Sequence, residues 1–172
     1  IKLKPEFSIA FCNLGIAHDK NDNFKLSEQN YKKSILLDKK NILAHYNLAN
    51  LYKDKNDLLN AEKYYVSALD LEPNMIHAYR NLFFIYNRSN QLEKLKKILI
   101  NSKINLGEHF IVDFFQGIYD FENKDFKAVI KNFQKLKIDK NEIEIIMIKN
   151  ELLAKSHDNI GEYNKSFDYF VE

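Results

Sequence analysis

The stretch from Ile42 to Met75, ILAHYNLANLYKDKNDLLNAEKYYVSALDLEPNM, limits what this chain can fold into more than any other feature. Leu48, Ala49 and Tyr52 share one helical face, Ala61, Tyr65 and Ala68 share another, and Pro73 stops the second helix. Small residues stand where two helices must approach closely, and large ones fill the space beside them. The stretch therefore predicts one helix-turn-helix unit. Its chemistry returns at steps of about 34 residues, the mark of a stacked array. Phe24, Leu58, Leu92 and Phe126 form one series, and Tyr31, Tyr65, Leu99 and Phe133 a second, both on the second helix of each unit. A third series, Leu14, Leu48 and Leu82, marks the first helix and fails at Gln116.

This pattern resembles the tetratricopeptide repeat, whose usual run is an aromatic, Leu-Gly, Tyr, then Ala, aromatic, Ala and Pro. Only His45 at the first aromatic place and Ala49 at the glycine place depart from it between Ile42 and Met75. The resemblance implies an all-α fold, a right-handed α-solenoid of tetratricopeptide-type helix-turn-helix repeats. Stepping along the chain gives residues 1–7 as the tail of a preceding repeat, then repeats at 8–41, 42–75, 76–109 and 110–143, and a truncated fifth at 144–172. The first repeat has Leu14-Gly15 at the close helix contact, Ser27 and Ser34 at the small-residue sites, and a polar turn near Lys20 to Asn23.

The third and fourth repeats are degenerate. Phe83 and Leu95 replace small residues, which predicts an opened or rotated helix pair and a local change of curvature, and Gly107 reads as a helix stop. In the fourth, KDFKAVIKNFQKL places Phe126, Val129, Ile130, Phe133 and Leu136 at helical spacing. A long helix is expected from Asn141. The phase then slips, since Tyr163 and Phe170 stand 37 residues after Phe126 and Phe133, so the added residues extend a loop or the first helix of the fifth repeat. With Ile1 in first place and a shortened last helix, both ends read as cut edges.

Composition narrows the function. The 26 basic residues are balanced by 24 acidic ones, for a net charge of +2, which gives little general pull toward nucleic acid or an anionic membrane. The longest apolar runs, Leu82 to Tyr86 and Ile145 to Ile148, are far short of the roughly 20 residues that cross a bilayer. One cysteine, Cys12, excludes an internal disulfide and any multi-cysteine metal site, and the composition favours a cytoplasmic module. Four scattered glycines form no phosphate loop. The five histidines, His18, His45, His77, His109 and His157, carry no metal or catalytic spacing, and His18 and His157 occupy the phase of Tyr52 and Tyr86, which predicts packing roles. No cofactor and no intrinsic catalysis are expected. The Lys94 to Lys97 run reads as a solvated face.

The candidate binding residues are Asn13, Asn47 and Asn81, one period apart on successive first helices, which stacking would arrange as a ladder lining a groove. An asparagine both donates to and accepts from a peptide backbone. The resemblance implies that asparagine at this phase grips an extended main chain, although the same residue also bonds neighbouring helices. Tyr46, Asn50, Arg80 and Phe84 add a mixed aromatic and polar surface. The two-carboxylate clamp of chaperone-tail receptors is absent, since Cys12, Ile16, His77 and Asn81 stand in its places. Phe84, Ile111, Phe114, Ile118 and Phe121 either line the groove as an exposed patch or are buried by a rotated repeat.

These features favour a protein-interaction scaffold that binds a peptide or protein segment in its groove. The ending NELLAKSHDNIGEYNKSFDYFVE also resembles the last repeat of bacterial arrays that precede a sulfotransferase domain, which implies, as an alternative, recruitment of an acceptor for catalysis beyond residue 172. End-to-end self-association through apolar edge helices is a third reading.

Overall fold

The computed structural model describes residues 5–171, and their side chains from 6 to 169. Every regular element among them is a helix: α1 (Pro5–Asp19), α2 (Phe24–Leu37), α3 (Ile42–Asp54), α4 (Leu58–Leu71), α5 (Ile76–Arg88), α6 (Leu92–Leu106), α7 (Phe110–Glu122), α8 (Phe126–Lys135), α9 (Ile143–Asn159) and α10 (Tyr163–Val171). Two compact units, Ile1–Ser89 and Asn90–Glu172, meet in the turn between α5 and α6. The first holds α1 to α5 and the second α6 to α10. Residues 1–4 of the expected preceding tail lie outside the described residues, and from Pro5 onward the chain already belongs to α1.

The turns inside the hairpins follow one rule. Asp22, Asn56, Asn90 and Lys124, each 34 residues from the last, adopt φ of 56°, 58°, 52° and 61°, and Gly161 adopts 82°. A left-handed residue just past a helix lets the next N–H reach back to the final turn and satisfy an orphan carbonyl. That bond is present from Asn23 to His18, Asp57 to Tyr52, Asp125 to Asp120 and Glu162 to His157, each at 2.9 Å. Asparagine, aspartate and glycine tolerate this conformation, whereas lysine has no local compensation for it. Asp57 and Asp125 then cap the following helices, accepting from the amides of Asn60 and Ala128.

In three hairpins, α1 with α2, α3 with α4 and α7 with α8, a small residue on the first helix stands 16 residues before an aromatic one on the second. A Cβ added to Gly15 would lie 2.5 Å from Tyr31, and one added to Gly117 would lie 2.0 Å from Phe133. Ala49 and Tyr65, both fully buried, occupy the same two phases. Ser27 and Ser34 are fully buried as expected, and each carries its hydroxyl into a bond: Ser27 donates to the Gly15 carbonyl, and Ser34 to the Ser8 carbonyl. Asn41 joins three helices at once. Its Nδ2 donates to Ser8 and Ser34 Oγ, and its Oδ1 accepts from the Ala44 amide to cap α3.

Leu48 and Leu82 are fully buried, but Leu14, at the same phase, is 48% exposed. α3 is packed by α1 and α2 as well as by α4, while among the described residues α1 has only neighbours that follow it. In the second unit α7 and α8 pack as one hairpin and α9 and α10 as the next. Ile111, Phe114 and Ile118 are buried and Phe121 is half-buried, with the Phe114 ring stacked on Phe133 at 5.9 Å. These residues of the aromatic patch are thus core, for the reason that Gly117 lets the Phe133 ring close over α7. α9 begins 33 residues after α7 but ends 37 after it, so the added residues lengthen the first helix by about one turn and keep its faces in place.

Two outcomes follow for stability. Gly117→Ala gains roughly 1 kcal/mol of helix propensity but drives a methyl into a ring with no room to yield, which costs about 1–3 kcal/mol. Thermal unfolding will show a net loss, and Phe133→Leu in the same chain will recover part of it. Lys124→Asn, which places at 124 the residue found at 56 and 90, removes left-handed strain of about 1 kcal/mol. Chemical denaturation will show a higher midpoint.

Candidate protein-binding face

The first helices of the first unit bring Tyr46, Asn50 and Asn81 together. Asn50 lies one turn after Tyr46 on α3, so both side chains rise from the same face, and Asn81 on α5 reaches across to them. Asn81 Nδ2 donates to Asn50 Oδ1 at 3.3 Å and lies 3.5 Å from Tyr46 Oη. From beneath, Tyr65 Oη donates to the same Asn50 oxygen at 2.5 Å. Tyr65 is fully buried, with its ring 5.8 Å from that of Tyr46. Burial pushes the Tyr65 phenol well above its ordinary pKa, so it remains a donor at every physiological pH.

The network fixes two carboxamides in one orientation and leaves groups to spare. Asn50 Oδ1 is taken by two donors, and Asn50 Nδ2 has no partner among the described residues. Asn81 Nδ2 is engaged, and Asn81 Oδ1 has no partner there either. One donor and one acceptor of this kind match the two hydrogen-bonding groups of a peptide unit. All three of Tyr46, Asn50 and Asn81 are half-buried, so the amides remain accessible while their rotamers are held.

The three asparagines of the sequence series occupy different surroundings. Asn81 belongs to the network. Asn47, half-buried, stands by the Cys12 thiol, whose pKa is raised by burial and lowered to a lesser degree by Asn47. Asn13 is exposed and stands apart. Arg80 and Phe84 are half-buried on α5 beside Asn81. Tyr65 escaped the sequence reading as a site residue because its ring belongs to the packing series, and only the short step from buried phenol to Asn50 reveals its second role.

The second unit carries a different polar line where the leucine series fails. Gln116 Oε1 accepts from Lys103 Nζ, and its Nε2 donates to Asp120 Oδ1, both at 2.6 Å. Asn132 Nδ2 donates to the other Asp120 oxygen at 2.8 Å. Burial pushes the Asp120 carboxyl up, and the Gln116 bond pulls it partly back. Beside these residues Asp113, Lys135 and Leu136 help to line a recess of about 220 Å³.

The histidines are spread through packing and capping. His45 bonds the Lys39 carbonyl, His109 Nδ1 accepts from the Ile111 amide to cap α7, and His157 is buried against Tyr169. Among the described residues no group of three His, Cys, Asp or Glu side chains is placed to hold a metal. No described helix is long and apolar enough to cross a membrane.

The family model described as tetratricopeptide repeat matches residues 9–41 and 42–75. No curated protein matches the chain by sequence. Among solved structures, MamA from Desulfovibrio magneticus is similar with a TM-score of 0.75 and 11% identity, over 95% of this chain and 91% of that one. PilW, a type IV pilus biogenesis factor, gives 0.70 and 15%, over 95% and 74%. A tetratricopeptide repeat protein from Parabacteroides merdae gives 0.74 and 15%, over 95% and 63%. None of these carries the sulfotransferase resemblance of the last repeat. Residues 9–41 and 42–75 match the tetratricopeptide repeat, and the chain as a whole shares the all-α fold of these solved structures.

Proposed function

We propose that the chain is a cytoplasmic protein-interaction scaffold with no catalysis of its own, and that the first-helix face of α1, α3 and α5 holds an extended segment of a protein partner. The observation that carries this reading is the Tyr65-Asn50-Asn81 network, which presents a free amide donor and a free amide acceptor already held in place. Preorganisation matters because each new hydrogen bond contributes only about 0.5–1.5 kcal/mol net, an amount that ordering a loose side chain would largely consume. Asn50 and Asn81 orient the main chain of the segment. Tyr46, Arg80 and Phe84 contact its side chains, and Asn47 and Asn13 extend the polar row toward α1.

The fold supports the same direction. A tetratricopeptide array presents neighbouring first helices side by side, a surface suited to a segment and not to a small substrate. The charge network around Gln116 and Asp120 is satisfied internally, with no nucleophile activated beside it.

Peptides selected from a displayed library against the full chain provide the probe. Asn47→Ala with Asn81→Ala will weaken the selected peptides by about tenfold, as the loss of two modest bonds requires. Circular dichroism and the unfolding midpoint will stay near those of the parent, since both side chains are half-buried and outside the core. Undiminished binding by the double variant would remove the asparagines from the binding face.

A further inference from the structure

The second unit contains an open pocket of about 420 Å³ between α8 and the turn that joins α9 to α10. Lys127, Lys131 and Lys135 of α8 line one side, and His157, Glu162 and Lys165 line the other. Glu162 is the sole carboxylate of the lining and is already engaged. Its Oε2 accepts from His157 Nδ1 at 2.7 Å and from Lys165 Nζ at 3.2 Å. The three lysines of α8 have no ion pair among the described residues.

Like charges at i and i+4 destabilise a helix, and here two such pairs run along a helix of only ten residues. Beneath the lysines His157 is 1% exposed, and its Nε2 is buried with no hydrogen-bond partner. An unpaired buried nitrogen is a cost that native structures rarely retain. The row of lysines without an ion pair, around a pocket whose one carboxylate is already engaged, points to an anionic ligand.

We propose that this pocket binds an extended, glutamate-bearing segment of a protein partner, at a site separate from the asparagine face. Successive lysines four residues apart on a helix are spaced about 6 Å along its axis. Alternate residues of an extended peptide, which project to one side, are spaced about 6.6 Å. Acids at every second position therefore meet the lysines one to one. Ile130 and Ile160, both half-buried in the lining, give the methylene stems of those glutamates an apolar floor. Single-stranded nucleic acid has a comparable charge spacing but binds through exposed aromatic platforms, and the lining has none.

Fluorescence anisotropy on the full chain at about 50 mM salt, with a labelled peptide of alternating Glu and Ser, tests the site. The alternating peptide will bind, will weaken at about 0.5 M salt, and will lose about tenfold in affinity on Lys127→Glu with Lys131→Glu. Lys127→Gln with Lys131→Gln, which adds no repulsion and leaves α8 less strained, will lose affinity by about threefold or more. Absence of binding, or equal binding by the charge-reversed chain, would overturn the proposal. So would equal competition by a peptide with its glutamates in one block, by inorganic phosphate or by a short oligonucleotide.

Discussion

Close approach of two helices at a small residue, in the hairpins of α1 with α2, α3 with α4 and α7 with α8, is the constraint on which the packing of this structure depends. Where Gly15 meets Tyr31 and Gly117 meets Phe133, the first helix has no side chain, and the ring of the second helix lies against its backbone. The aromatic ring then serves as both spacer and filler, which fixes the distance between the helices and buries a large apolar area in a small unit. Position along the chain follows from this contact. Once the pair 16 residues apart is set, the residues one turn before and after it must face the same seam, and those a third of a turn away must face the next hairpin or solvent.

The turn between the helices is matched to that contact. A left-handed residue closes the first helix after a fixed number of residues, and the N–H that follows it satisfies the last turn. Asp22, Asn56, Lys124 and Gly161 all serve this purpose, although their side chains share little. Asn56 and Asn90 suit the conformation, and Lys124 holds it because the hairpin of α7 and α8 demands it from both sides. Backbone geometry is thus repeated more faithfully than sequence. Even the longer α9 keeps the rule, since its added turn lies within the helix and Gly161 still stands where the chain reverses.

Much of the fold was legible because packing repeats in step and side-chain size is read directly from sequence. Tyr31, Tyr65 and Phe133 are buried in the phase that the series assigns, and Ser27 and Ser34 fill the small sites. Three features were not legible, each for a physical reason. Leu14 has the right phase but is exposed, since burial depends on a neighbouring helix and not on the residue alone. Gly117 looked isolated because its neighbour Gln116 breaks the leucine series, although Gly15, Ala49 and Gly117 belong to one series of their own. The asparagine series was visible as spacing, but spacing does not reveal hydrogen-bond partners. Asn13, Asn47 and Asn81 share a phase and yet meet solvent, a thiol and an amide network in turn.

Position 50 shows why the candidate face depends on the core beneath it. Asn50 is polar and half-buried, a placement that costs free energy unless its groups are bonded. Tyr65 satisfies its oxygen from inside, and the same ring fills the helix seam, so one residue links the packing of α3 on α4 to the orientation of the amide above. A phenylalanine there would preserve the seam, as Phe133 does in the second unit, but would release Asn50 to rotate. The hydroxyl of Tyr65 is therefore surplus to folding, and its one clear consequence is to hold the surface amide still. The binding geometry proposed for this face would then be set by a residue that no ligand touches.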